Sequence, residues 1–255
     1  MQIDLQKRAI RAAFGNAAAR YDDIAHVQRR IANALLARCQ PGSGIVLDAG
    51  SGTGYVTEEL RALGTSCLAL DHAAPMLLQS RCDSVCGDIE DLPLRSACVA
   101  LYYSSLAWQW TDAPRAIAEA ARVMQPGGQL AVATLGPDTL WELRDAFRHA
   151  DDAEHVRKFV APENYAAQLA TAGFESIEIQ RLSFVAHAPD FRSMLHDIKA
   201  LGAHIVGTRR PQGLFGVQRF RRAEAHHERL REESGLPLTY DTVFMTARRT
   251  KNTQT

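Results

Sequence analysis

Between positions 46 and 54 the chain reads Val46-Leu47-Asp48-Ala49-Gly50-Ser51-Gly52-Thr53-Gly54: an apolar run that ends in a carboxylate and then in three alternate glycines. Glycines so placed let a chain turn tightly and let a ligand approach the backbone where a Cβ would block it. A helix opening directly behind the turn offers free N–H groups and a positive dipole end suited to a carboxylate or phosphate. Two ligand classes use such a turn. The dinucleotide fingerprint G-x-G-x-x-G would put its third glycine at position 55, where this chain has Tyr55, and so large a side chain opposes the close helix–strand packing that a glycine permits there. Asp48 separates the classes again, because a carboxylate repels a pyrophosphate and attracts the ammonium of an amino acid. Asp71 then follows at roughly the 20-residue spacing of an acid that binds ribose hydroxyls.

These residues need strands to carry them. Ile45–Asp48, Ser66–Asp71, Ser84–Cys86, Cys98–Tyr103 and Gln129–Thr134 are short apolar runs of the kind expected for strands covered on both faces. Between them, helical spacing is read over 55–63 (closed by Gly64), around 76–80, and from Pro114 to Pro126-Gly127-Gly128, which ends that helix. Strands alternating with helices imply βαβ crossovers and a parallel sheet. The expected fold is therefore α/β, a doubly wound, mostly parallel seven-stranded sheet. An N-terminal helical cover over 1–40 precedes a ligand-binding core over 41–184, a helical insertion occupies 185–235, and a final strand over 236–249 completes the core. In the second half we expect helices over 139–149, 162–171, 191–201 and 217–233, with strands at 176–182 and 240–245.

Composition narrows the function. The 255 residues are 46% hydrophobic and 23% charged with a formal net charge of zero, so the whole-molecule field favours neither nucleic acid nor an anionic membrane, and neither is an expected partner. No apolar run approaches the roughly 18 residues that span a bilayer, and the N-terminus lacks the apolar stretch of a secretion signal. Five cysteines, an odd number, fit a reducing compartment. The expected location is the cytoplasm. Cys82 and Cys86 have ligand spacing but no second pair follows, and His226-His227-Glu228 occupy adjacent helical positions that point about 100° apart. No metal is expected.

The acid followed by G-x-G-x-G resembles the first motif of the class I S-adenosylmethionine-dependent methyltransferases, and the likeness covers about residues 44–135. It implies S-adenosyl-L-methionine as cofactor and S-adenosyl-L-homocysteine as product. Asp48, Gly50, Gly52 and Gly54 would hold the methionine part, Asp71 the ribose hydroxyls, and Asp88 of Gly87-Asp88-Ile89 the adenine amino group, while Ser104 would lie beside the methionine moiety. The same likeness assigns Gln28, His72, Met76, Ile89 and Gln109 to the cofactor. Plainer readings exist for single residues: Asp71 as a helix cap, Asp88 as a turn acid.

A narrower resemblance runs along nearly the whole chain. Ser104-Ser105-Leu106-Ala107-Trp108-Gln109-Trp110 resembles the S-N-L-A-x-Q-W signature of the malonyl-acyl-carrier-protein O-methyltransferases of biotin synthesis, with Ser105 where that family has Asn. Ala13–Tyr21, Val27-Gln28-Arg29, Thr139–Arg144, Leu195–Ala203 and Leu236–Tyr240 are similar to further elements of it. The implied reaction is methylation of the free carboxyl of a malonyl thioester on acyl carrier protein or coenzyme A. For substrate contacts we expect Tyr21 as a hydroxyl donor closing the site and Arg144 as the cationic partner of the carboxylate. Between Ile198 and Ala223 no acidic residue occurs, and Lys199, Arg209, Arg210, Arg219, Arg221 and Arg222 form a candidate patch for the acidic carrier. A basic run is also an ordinary solvated helix face. Competing readings are a methyltransferase acting on a free small molecule, such as a quinone precursor or free acid, and a non-catalytic S-adenosylmethionine-binding regulator.

Overall fold

The computed structural model describes residues 2–40, 42–62, 64–201 and 216–251. Helices α1 (Gln2–Ala17), α2 (Tyr21–Ile24) and α3 (His26–Leu36) come first. They form no continuous rod: a 3-10 turn over Ala18–Arg20 and Ala25 at φ −81°, ψ 34° bend the chain twice. The core follows as β1 (Ile45–Ala49), α4 (Tyr55–Ala62), β2 (Ser66–Asp71), α5 (Ala74–Leu77), β3 (Ser84–Cys86), β4 (Val99–Ser105), α6 (Ala113–Val123) and β5 (Met124–Leu135). Then come α7 (Trp141–Arg148), α8 (Pro162–Thr171), β6 (Phe174–Ala188), α9 (Phe191–Ala200), α10 (Val217–His227) and β7 (Leu236–Arg249).

Among the described residues seven strands form one sheet in the order β3-β2-β1-β4-β5-β7-β6, with β7 antiparallel to both neighbours and the other pairs parallel. This is the expected doubly wound α/β architecture. Period-two alternation sorts the strand residues onto two faces. Val46, Leu101, Tyr103, Ala131 and Ala133 join α3, α4, α7 and α9 in one cluster, and Leu47, Ala49, Tyr102, Leu130 and Val132 join α6 and α8 in the other. Crossovers leave β1 toward β2 on one side and enter β4 on the other, so a crevice opens at the carboxyl ends of β1 and β4, where doubly wound sheets bind ligands.

Several boundaries depart from expectation for identifiable reasons. Pro126-Gly127-Gly128 does not end α6; the helix stops at Val123, and Met124 already pairs with Val99. The two glycines then let β5 bend against its neighbour, because a Cβ on Gly128 would stand 2.9 Å from the Gln125 carbonyl oxygen and 3.0 Å from that of Ala100. Helix α5 begins two residues before the expected Met76, since Pro75 presets its first turn. Helix α7 begins only at Trp141, because Leu140 is left-handed at φ 55°, ψ 35°. Strands β6 and β7 run as a ladder from Phe174↔Arg249 to Ala188↔Leu236, well beyond 176–182 and 240–245. The sheet thus includes residues 185–188, and the inserted helices begin at Phe191. Buried Asp241 pins this ladder, taking Arg181 Nε at 3.1 Å and Nη2 at 2.6 Å.

Candidate functional site

The turn after β1 has the conformation that its glycines were expected to serve. Gly50, Gly52 and Gly54 take φ values of +79°, +57° and +88°. A Cβ on Gly50 would lie 2.3 Å from that of Ala107, and one on Gly54 would lie 2.4 Å from Ser80 Oγ, whereas Gly52 faces open space. The turn therefore packs by Gly50 and Gly54 and presents Gly52 outward. Its N–H groups are not free for an anion, as the sequence suggested. Those of Gly50 and Ser51 donate to the Leu70 carbonyl, and that of Gly52 donates to Asp71 Oδ2 at 3.0 Å.

Asp48 is almost wholly buried and accepts the Thr57 hydroxyl at 2.7 Å together with the Thr57 backbone N–H. Burial is the main reason its carboxyl is pushed up to about 7; the Thr57 hydrogen bonds oppose this, and the charge of Asp71 adds to it. Asp71 is held by two backbone donors, Gly52 N–H and, at 2.8 Å, Ala73 N–H. Two carboxylates stand on neighbouring strand ends; among the described residues no Lys or Arg pairs with either, and only the His72 ring, at 3.7 Å from Asp71, stands near, so the pair favours a cation between or beside them.

Two adjoining cavities meet this demand. The smaller, about 70 Å³, is lined by Gln28, Asp48, Ser51 and Tyr103 among others. Gln28 Oε1 and Ser51 Oγ are buried there without a protein hydrogen-bond partner. A space walled by a carboxylate and an orphaned amide oxygen suits an ammonium. The larger cavity, about 420 Å³, runs past Asp71, His72, Met76, Gly87, Asp88 and Ile89 to Trp110. Its apolar walls and acidic floor suit a nucleoside. Gly50, Gly52, Tyr21, Ser105 and Leu106 line both cavities, so one ligand can extend from the ammonium niche into the slot. Leu106 does so at a strained φ of 55°.

Of the expected cofactor residues, Gln28, Asp48, Gly50, Gly52, Asp71, His72, Met76, Asp88 and Ile89 line this continuous space, with Tyr21 at its junction. Others do not. Gly54 serves packing against Ser80. Ser104 is fully buried and donates to the Ala49 carbonyl at 2.7 Å, so it joins β4 to β1 while Ser105 faces the ligand space. Gln109 turns inward, donating to the Leu106 carbonyl at 2.6 Å and accepting from Thr134 at 3.2 Å. Arg144 is absent from both linings and donates to the Thr139 carbonyl at 3.1 Å. Trp108 is core, but Trp110 walls the slot with Phe14 at 5.7 Å.

The N-terminal helices form the roof. Lys7, Ile10, Arg11 and Phe14 recur at helical spacing along α1 and line the slot. Lys7 Nζ binds Asp88 Oδ2 at 2.6 Å and buried Glu90 Oε2 at 2.7 Å. Burial opposes charge on Lys7 and on Asp88, yet their hydrogen bond prevails, raising the lysine and lowering the acid. Farther along, Asp22 accepts the Thr53 hydroxyl at 3.0 Å and meets Arg29 at 3.1 Å. Sequence reasoning missed Lys7, Glu90 and also Tyr240, which hydrogen-bonds Gln28 from β7. Helical spacing of the basic and aromatic residues in α1 was the available signal for Lys7; nothing local marked Tyr240.

Lys199 on α9 and Arg219, Arg221 and Arg222 on α10 are exposed, with Arg219 near Asp151 at 3.8 Å. Arg209 and Arg210 lie outside the described residues. Cys82 and Cys86 are free thiols. Of the adjacent histidines, His226 is half-buried against Asp145 at 2.7 Å and His227 is fully buried. No helix among the described residues is long and apolar enough to cross a membrane.

The likeness to known proteins agrees with this geometry. A family described as "Methyltransferase domain" matches residues 47–132. A "Malonyl-[acyl-carrier protein] O-methyltransferase" of Dechloromonas aromatica is 41% identical over 250 residues, covering 95% of each chain. The "Biotin biosynthesis bifunctional protein BioHC" of Cellvibrio japonicus is 36% identical over 94% of this chain and half of its own length. Among solved structures, a SAM-dependent methyltransferase of Thermotoga maritima, described as a possible histamine N-methyltransferase, shares the fold with a TM-score of 0.58 at 16% identity, over 94% of this chain and 99% of its own. With a buried acid on a glycine turn, a nucleoside-sized slot and this end-to-end identity, the chain belongs to the malonyl-[acyl-carrier protein] O-methyltransferase family of S-adenosylmethionine-dependent methyltransferases.

Proposed function

We propose that the chain methylates the free carboxylate of a malonyl thioester carried on acyl carrier protein or coenzyme A, using S-adenosylmethionine, as an early step of biotin synthesis. The observation that carries the donor is the acceptor-walled niche at Asp48 opening into the slot between Asp71 and Trp110. The acceptor is supported by relatives of that name that are 41% and 39% identical along 95% and 93% of the chain. In this reading Asp48 and Gln28 hold the ammonium of the cofactor, Asp71 the ribose, and Met76, Ile89 and Asp88 the adenine. When bound, the cofactor supplies a methyl group on a positively charged sulfur and becomes S-adenosylhomocysteine.

The protein's own residues have a limited task. A carboxylic acid with a pKa near 4 is already ionised at pH 7, so no general base is required, and an activated methyl needs no metal. The chain must hold the acceptor oxygen and exclude water. Burial, and then the charge of Asp71, raises Tyr21 well above its ordinary value, so its hydroxyl keeps its proton and donates to the acceptor carboxylate. Arg144, held at the Thr139 carbonyl, is no part of this reading. The roof of residues 1–40 shuts out solvent over the core of 41–184, and the insertion of 185–235 presents Lys199, Arg219, Arg221 and Arg222 to the acidic carrier before 236–249 closes the sheet. Masking the carboxylate as a methyl ester lets fatty-acid enzymes extend the product toward a pimeloyl chain, which places the work in the cytoplasm.

The direct test incubates the protein with S-adenosylmethionine and malonyl-carrier protein, malonyl-coenzyme A or free malonate, and follows products by mass spectrometry. One added methyl on a thioester is expected and none on free malonate; transfer to free malonate alone, or to no acceptor, overturns the reading. Tyr21→Phe should lower turnover about 10- to 100-fold with cofactor affinity unchanged. Reversing Arg219, Arg221 and Arg222 to Glu should raise KM for carrier-bound substrate at least about tenfold, most strongly at low salt, and leave kcat intact.

Asp48 gives a pH test of the niche. Its folded pKa of about 7 exceeds the ordinary 3.8, so without ligand the acid favours the folded state below that ordinary value and loses the contribution as pH rises toward 7. An ammonium beside it reverses the preference. Cofactor affinity should therefore weaken by up to tenfold per unit as pH falls below about 7. Calorimetry at pH 6 in buffers of different ionisation enthalpy should show about one proton released on binding. Asp48→Asn should abolish that release; wild-type binding without it excludes Asp48 as the partner.

A further inference from the structure

Helices α7 and α10 meet at a contact that lines neither ligand cavity, and it holds a cluster to which the proposed methyl transfer assigns no role. Asp145 and His149 stand four residues apart at the end of α7, hence on one side of it. His226 comes from the last turn of α10. One ligand atom from each of the three lies within 4.8 Å of the others. His226 Nε2 is 2.7 Å from Asp145 Oδ2, and the His226 ring stacks on that of His149 with centroids 3.6 Å apart and planes 17° apart.

The state of His149 follows from its neighbour. Its Nδ1 lies 2.9 Å from the backbone carbonyl of Asp145. A carbonyl only accepts, so Nδ1 bears the proton, and in the neutral tautomer this selects Nε2 bears the lone pair. A ring nitrogen anchored on a backbone carbonyl, with the other nitrogen unprotonated, is the arrangement that orients metal-bound histidines. An ordinary ion pair accounts for His226 and Asp145 and leaves His149 without a reason to stack there.

We propose that Asp145, His149 and His226 form a transition-metal site, with Zn²⁺ as the leading occupant, that pins α10 to α7. Two imidazole nitrogens and one carboxylate oxygen are the donor set of a three-ligand zinc site, with water in the fourth position. Bonds of about 2.0–2.2 Å at tetrahedral angles hold donors roughly 3.3–3.5 Å apart, so the 2.7 Å contact of His226 with Asp145 opens while His149 Nε2 turns toward both. The hydrogen bond between His226 and Asp145 is exchanged for bonds to the metal. None of the three residues lines either ligand cavity, so the metal acts as a clamp between the insertion and the core, fixing the helix that carries Arg219, Arg221 and Arg222.

Chelator-treated full-length protein titrated with Zn²⁺ by calorimetry should bind one equivalent and gain several degrees in Tm. Co²⁺ should give tetrahedral visible bands without the near-ultraviolet charge transfer of a thiolate ligand. His149→Ala and His226→Ala should each weaken Zn²⁺ binding at least tenfold and cancel the Tm gain while far-ultraviolet circular dichroism is unchanged. His149 is exposed, so its variant folds and decides the matter if the other does not. Absence of Zn²⁺ binding, a thiolate band that places the metal on cysteine, or full affinity in His149→Ala overturns the proposal. None of these readouts depends on methyl transfer, so failure of the clamp and failure of the catalytic reading are separable.

Discussion

Burial of Asp48 at the end of an apolar strand is the constraint around which the site is organised. Removing a carboxylate from water costs several kcal/mol unless its oxygens are partnered, and here Thr57 supplies two donors while Asp71 adds repulsion. The first turn of α4 is thereby tied to β1, which sets the path of the glycine turn, the approach of Gly50 to Ala107 and the outward aspect of Gly52. What remains uncompensated is negative potential in a small niche. A cation that enters there finds its counter-charge already placed and desolvated, and the rest of its molecule can extend along the adjoining slot, toward Asp71.

The roof has a matching logic. Helix α1 brings an apolar stripe of Ile10 and Phe14 over the slot and fastens it at a buried acid, Glu90, through Lys7. The second fastening, Asp22 on Thr53, reaches the glycine turn itself. Ligand and roof therefore share residues: Asp88 serves Lys7 and also faces the nucleoside end of the slot. A ligand at that end of the slot therefore meets the same carboxylate that fastens the roof.

The parallel core was legible because strands buried on both faces must be apolar runs, and β2 and β3 begin and end where those runs do. The edge strand β6 was only half read. Glu175, Glu178, Gln180, Arg181 and His187 interrupt it because one side of an edge strand faces water. Within the site, residues fixed by strand ends, such as Asp48, Asp71 and Asp88, were readable from order and spacing. Residues fixed by side-chain direction were not: Ser104 and Ser105 are adjacent in a strand, so they point to opposite faces, and a one-residue choice exchanges ligand contact for core. The directions of Gln109 and Arg144 were likewise not legible, their partners being set by β5 and by the left-handed turn at Leu140. His226 gained its neighbours from a helix much earlier in the chain, which no local pattern announces.

Strand β7 lies between β5 and β6, pairing with both, although it is the last strand made. Until residues 236–249 leave the ribosome, β5 has an open edge of Leu130, Ala131, Val132 and Ala133, and β6 has no partner at all. From the completion of β5 until β7 is made, the nascent chain therefore carries an exposed, aggregation-prone sheet edge. The sheet closes only by insertion of residues 236–249 between two strands made earlier, and a ribosome that stops before them releases a sheet that cannot close.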